Sequence, residues 1–189
     1  MIFNPDIHHR HSIRLKDYDY SLEGWYFITI CTQNRECLFG KILNRQMILN
    51  EYGQNVNQCW LEIPNHFPSV ILHEYIIMPN HLHGIIQIKY DNNNATPVGA
   101  GSACPNNNDR INHDGQANPA PTISHPHIAL GNIIGYFKYQ TTRQIDLPTK
   151  LWQRNYHEHI IRNQNSYQRI ADYIGINPAC WQMDKFYCQ

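Results

Sequence analysis

Apolar and polar positions along this chain fall into short runs whose period changes from strand-like to helix-like and back. Residues 24–33, GWYFITICTQ, are β-branched and aromatic and predict a first strand. NRECLFG then reads as a turn leading into a short second strand around GKILNRQMILN. In NEYGQNVNQCWLEIPNHF the apolar positions Tyr52, Val56, Trp60 and Ile63 recur at helical spacing, and Pro64 is expected to end that helix. VILHEYIIM and HLHGIIQIKY follow as two strand-like runs. The two turn residues between them, Pro79 and Asn80, predict an antiparallel hairpin.

Residues 91–127 break the pattern. They are dominated by Asn, Pro, Gly, Ala and Ser with no apolar period, and read as a flexible insertion or linker within a single domain spanning 1–189. His113, His125 and His127 fall inside it and are not taken as metal ligands. Order returns at IALGNIIGYFKYQTTRQI, where Ile128, Ile133, Ile134, Phe137 and Ile145 predict an amphipathic helix with Lys138 and Arg143 off its stripe. KLWQRNYHEHIIRN is a mixed aromatic and basic segment. SYQRIADYIGIN predicts a last helix, capped by Ser166 and stopped by Pro178. The tail ACWQMDKFYCQ is expected to pack on the body. The order β, β, α, β, β, gap, α, α predicts an α+β fold, an antiparallel sheet with helices packed on it, for which a ferredoxin-like arrangement is a compact solution.

Composition narrows the class. Hydrophobic residues make up 42%, which is globular and not disordered overall. Fifteen basic residues balance fifteen acidic ones, so a nucleic-acid partner would need a local patch. The six cysteines show no C-x-x-C pair and no zinc spacing, and read as free thiols of a cytoplasmic protein. The first twenty residues lack the apolar core of a signal peptide, and no apolar run approaches the ~20 residues of a membrane span.

Two stretches carry candidate chemistry. In MPNHLHGIIQIKY, strand alternation puts His81, His83, Ile85, Gln87 and Lys89 on one face and Leu82, Gly84, Ile86, Ile88 and Tyr90 on the other. The second set should meet the core. The histidines then project together, Cβ atoms about 7 Å apart, able to converge on one cation or simply to be hydrogen-bonded. In the last helix Tyr167, Ile170, Ala171 and Ile174 form the apolar stripe, while Arg169, Tyr173 and Asn177 repeat every four residues beside it. If this helix faces the histidine strand, Asn177 becomes a third ligand beside a tyrosine; otherwise the stripe is a surface rim. The HEH at 157–159 has an acid between its histidines, so His159 is taken as structural or DNA-contacting. The N-terminal HHRH reads as a solvated end or a phosphate contact.

MPNHLHGI, the FK of IIGYFKYQTTR, LWQRNYHEHIIRN and RIADYIGINP, in this order and with YFITICTQNRECLFG before them, resemble the REP-associated tyrosine transposases, which belong to the single-tyrosine HUH (His-hydrophobic-His) group. The resemblance covers roughly residues 20–90 and 128–187. It implies that His81 and His83 are metal ligands, Tyr173 the nucleophile and Asn177 the polar third ligand. It further implies Mg²⁺ or Mn²⁺ as cofactor, single-stranded DNA hairpins as partner, and a monomer or homodimer that cleaves and rejoins DNA through a 5′-phosphotyrosine. Lys138, Arg143, Arg154, Arg162 and Arg169 are candidates for phosphate contacts, and Trp152 and Tyr156 for stacking on unpaired bases. The other readings are a hairpin-binding protein that keeps the fold without catalysis, and a hydrolytic phosphodiesterase, for which the sequence offers no evident water-activating base.

Overall fold

The computed structural model describes residues 14–15, 18–90 and 128–187. The expected insertion at 91–127 and the N-terminal HHRH lie outside the described residues. Four strands form the main antiparallel sheet: β1 (Gly24–Cys31), β4 (Val70–Met78), β5 (His81–Ile88) and β6 (His157–Ile161), in the spatial order β4-β5-β1-β6. β2 (Gly40–Leu43) and β3 (Gln46–Leu49) form a separate two-stranded hairpin. The helices are α1 (Glu51–Leu61), the short α2 (Ile63–His66), α3 (Leu130–Ile145) and α4 (Gln164–Ile176), with a 3-10 turn, Asn177–Met183, continuing from α4.

The sheet is covered on both faces. On one, Val56 and Trp60 of α1 and Ile133, Ile134 and Phe137 of α3 pack with Tyr26, Ile28, Ile30, Leu82, Ile86 and Ile88 into the larger core. On the other, Ala171 and Ile174 of α4 pack on Ile85 and Ile161, while Trp181 and Phe186 of the C-terminal segment pack on Cys31 and Met78. The α+β expectation therefore holds, as does the antiparallel hairpin turning at Pro79-Asn80.

Several local expectations need correction. GKILNRQMILN is two strands, not one: Asn44 and Arg45 both adopt positive φ (49° and 63°), the conformation of a tight two-residue hairpin turn. HEHII is the edge strand β6, pairing with Trp25 to Thr29 of β1. Asn163, and not Ser166, caps α4: its side chain accepts the Ser166 N–H at 2.8 Å. Pro64 and Pro178 each open a further helical turn, where a missing N–H costs nothing. Cys31, Cys59 and Cys180 are free thiols, but Cys37 is disulfide-bonded; spacing along the chain does not show which distant segments meet. No helix among the described residues is long and apolar enough to cross a membrane.

Candidate active site

β5 turns Leu82, Ile86 and Ile88 toward α1 and α3, which leaves His81 and His83 on the face beneath α4 and the C-terminal segment. Both histidines are buried, at 0% and 1% exposed. Each ring is held through Nδ1. His81 Nδ1 lies 2.8 Å from Asn80 Oδ1, and His83 Nδ1 lies 2.8 Å from Thr29 Oγ1 on the neighbouring strand. The Asn80 amide group donates to the carbonyls of Arg35 (3.1 Å) and Phe186 (2.7 Å), so its Oδ1 must accept and His81 Nδ1 must carry the proton. The lone pair of His81 is therefore on Nε2, a buried atom with no hydrogen-bond partner among the described residues. Burial, with the charge of Lys185 adding to it, pushes His81 down to about 3. Burial and the neighbouring His81 hold His83 well below its ordinary value, with Asp184 opposing them. Both rings are neutral at physiological pH, the form that ligates a cation.

α4 brings Tyr173 over this pair. Its hydroxyl is 3.2 Å from His83 Nε2 and donates to Asp184 Oδ2 at 3.5 Å. Its ring stands edge-on to Phe27 and is 37% exposed, so one side remains accessible. Burial and the charge of Asp184 raise the phenol's pKa, and a hydrogen bond from Asn177 works against them. Asn177 keeps helical backbone angles past the end of α4 and is 1% exposed. Its Nδ2 donates to Asp184 Oδ2 at 3.0 Å, and its Oδ1 is buried without a partner among the described residues. Asp184 is fixed in turn, its Oδ1 accepting the Phe186 N–H at 2.7 Å.

His81, His83 and Asp184 each present a ligand atom, all within 4.8 Å of one another. Two neutral imidazoles, a carboxylate and the orphaned oxygen of Asn177 suit a divalent cation. The mixed nitrogen and oxygen set does not by itself select which one. Asn80 and Thr29 are the outer hydrogen bonds that aim the two rings.

Of the residues singled out in the sequence, His81, His83, Tyr173 and Asn177 come together here. Arg169 is exposed one turn before Tyr173, and Arg143, Arg154 and Arg162 are exposed. His159 is exposed on β6 opposite Phe27. Three residues expected to contact DNA are engaged within the fold. Lys138 donates to the carbonyls of Gln153, Arg154 and Asn155, pinning the loop before β6, and burial lowers its pKa to about 8. Trp152 and Tyr156 are core residues at 6% and 8% exposed. Trp152 donates to Thr141 Oγ1, and the Tyr156 hydroxyl accepts from Arg14, so neither ring offers an open face for a base. Sequence reasoning missed Asp184, Thr29 and Asn80. Asp184 sits in an aperiodic tail, and Thr29 meets His83 only through strand register; the one available signal was Asn80, directly before the histidine pair.

The fold is shared with a solved protein. A solved structure of a REP-associated tyrosine transposase bound to a REP hairpin superposes with a TM-score of 0.52 at 20% identity, covering 88% of this chain and 72% of that one. The chain thus has an HUH-transposase-like fold with a candidate His/His/Asp metal site. A crystal structure of a Deinococcus radiodurans R1 protein matches more weakly, with a TM-score of 0.44 and 12% identity over 86% of this chain and 95% of that one. No family model matches the sequence. An uncharacterized protein of Haemophilus influenzae (strain ATCC 51907 / DSM 11121 / KW20 / Rd) is 46% identical over 190 residues, 98% of this chain and 97% of that protein. The chain belongs to the same family as that Haemophilus protein.

Proposed function

We propose that this protein is a single-tyrosine DNA strand transferase. It cleaves and rejoins single-stranded DNA beside REP-like hairpins through a 5′-phosphotyrosine on Tyr173. The observation that carries the reading is the Tyr173 hydroxyl, 3.2 Å from the nitrogen of a buried histidine that belongs to a three-residue ligand cluster. A phenol, a metal-binding cluster and an accessible ring side are what covalent phosphoryl transfer requires. The strand sequence β-α-β-β-α-β and the spatial order β4-β5-β1-β6 also support a ferredoxin-like description, with residues 1–189 as one domain carrying the insertion.

His81, His83 and Asp184, with Asn177 beside them, would hold Mg²⁺ or Mn²⁺. When bound, such a cation draws electron density from phosphorus and makes it a better electrophile. The chain's own groups do the rest. Asp184 Oδ2 is within reach of the phenolic proton as the Tyr173 oxygen forms its bond to phosphorus. The phosphorus–3′-oxygen bond breaks, and that oxygen takes up a proton to leave a 3′ hydroxyl. Attack by another 3′ hydroxyl on the phosphotyrosine reverses the step and restores the phenol. On this reading Arg169, exposed on the same helix, meets a phosphate, and exposed Arg143, Arg154, Arg162 and His159 make further contacts. On the same reading the protein works in the cytoplasm, as a monomer or homodimer.

The test is a library of hairpin oligonucleotides with single-stranded flanks, labelled at each end and incubated with Mg²⁺ or Mn²⁺. Cleavage should fall in the unpaired flank, with the 5′ phosphate on Tyr173 and a free 3′ hydroxyl. Fully paired DNA should be cut at least about tenfold more slowly, since unpairing costs a few kcal/mol. Tyr173→Phe should reduce adduct formation on the order of 10³-fold or more and leave hairpin affinity nearly unchanged. Undiminished cleavage in EDTA, or an adduct on Tyr167, would overturn the assignment. Hairpin binding without any adduct would instead favour the non-catalytic reading.

A further inference from the structure

A cleft of about 700 Å³ lies between the β2–β3 hairpin and the C-terminal segment. Lys41 and Arg45 line it from the hairpin, Trp181, Met183 and Tyr187 from the C-terminal segment, and Pro79 from the turn that leads into His81. None of its lining residues is acidic. In a chain of zero formal charge that is a local excess of cations. The cleft adjoins the site described above through Trp181. The indole of Trp181 has its centroid 6.0 Å from that of His81 and stands edge-to-face with Tyr187 at 5.5 Å. Met183 is 82% exposed and Tyr187 41%, although both are large and largely apolar.

We propose that this cleft binds unpaired nucleotides of the DNA strand that enters the site, Lys41 and Arg45 meeting phosphates and the exposed Tyr187 and Met183 receiving bases, with the buried Trp181 backing the Tyr187 ring. The inference rests on the strand-transfer reading for its choice of DNA, but its residues are distinct from those of the reaction. Cations on one wall and aromatic and thioether surfaces on the other are the two components of a single-strand groove. A small anion would use the cations and leave the apolar wall unexplained. A stacked duplex would reach the cations but hide its base faces. The volume falls within the range of pockets that enclose compact ligands, room for about one or two nucleotides.

The experiment uses the full chain and a mixed-sequence pool of single-stranded DNA, about 12 nucleotides long and carrying 5-iododeoxyuridine, with photocrosslinks mapped by mass spectrometry. Alongside it, affinity is measured against salt for the wild type and for Lys41→Gln/Arg45→Gly. Both positions are exposed, and glycine suits the positive φ of Arg45. Crosslinks to the 181–187 peptide, with at least about tenfold weaker binding by the double variant and a salt slope shallower by about 1.4 for two lost single-strand phosphate contacts, would support the cleft. Crosslinks confined to other peptides, or an unchanged affinity and slope in the folded variant, would overturn it. Neither readout depends on cleavage. A protein that crosslinks here but never forms an adduct would sink the strand-transfer reading alone, and one that forms adducts while crosslinking elsewhere would sink the cleft alone.

Discussion

A buried histidine is an ordinary core residue when both ring nitrogens are satisfied, and His81 has only one that is. Nδ1 is committed to Asn80, while Nε2 is enclosed and has no partner among the described residues. Leaving such an atom bare costs about 1–3 kcal/mol, which a bound cation would offset. The same enclosure makes a pH prediction. The folded state resists protonating His81 down to about 3, whereas the unfolded chain protonates near 6.5. Between those values the unfolded state binds more protons, so stability is complete above pH 6.5 and is lost as pH falls. At about 1.4 kcal/mol per unit, His81 alone removes about 2 kcal/mol by pH 5, and His83 acts in the same direction. Denaturant melts in EDTA at pH 7 and pH 5 measure the loss. His81→Gln should flatten it, which separates the effect from Glu158, whose carboxyl is raised by burial and pulls the other way. Strand and helix periods sorted the histidines, Tyr173 and Asn177 by face but left a surface rim equally open, and the family resemblance is what joined them into one site. Asp184 was not legible, because an irregular tail has no period to read.

Among the elements, β1, α1, the β4–β5 hairpin, α3 and α4 were legible from apolar spacing, and β6 was not. HEHII exposes His157 and His159 on an edge, so its polar residues carry no inward signal, and its membership comes from pairing with β1. β5 is the opposite case, buried on both faces. Gly84 sits between His83 and Ile85, and a Cβ there would come within 2.6 Å of the Trp60 ring. That ring is wholly buried between the sheet and Phe137, so it has little room to yield. Gly84→Ala should cost about 1–3 kcal/mol in thermal or denaturant unfolding. A melt indistinguishable from wild type would mean the ring moves freely and that β5 is not clamped.

For the whole molecule, the neutral net charge averages over local unevenness, since Lys41 and Arg45 of the β2–β3 hairpin line a cleft that has no acidic lining residue. The ends of the 91–127 stretch are a second such feature. The Tyr90 hydroxyl accepts the Ile128 N–H at 3.2 Å and donates to the Ser21 carbonyl, so the two ends already meet on the body. Replacing most of 91–127 with a short Gly/Ser linker should leave the melting temperature within a few degrees and adduct formation intact. A large drop in either would show that the stretch contributes to the core or to the site. The order in which the site's parts occur along the chain has a further consequence. Thr29, His81 and His83 precede Tyr173, Asn177 and Asp184, the last by about a hundred residues from the histidines. During translation the imidazoles therefore leave the ribosome long before the nucleophile and the carboxylate that complete the cluster. On the proposed chemistry a chain still lacking the segment from Tyr173 to Asp184 has no means of breaking DNA, so the capacity to nick a chromosome arrives only once that segment has been synthesised.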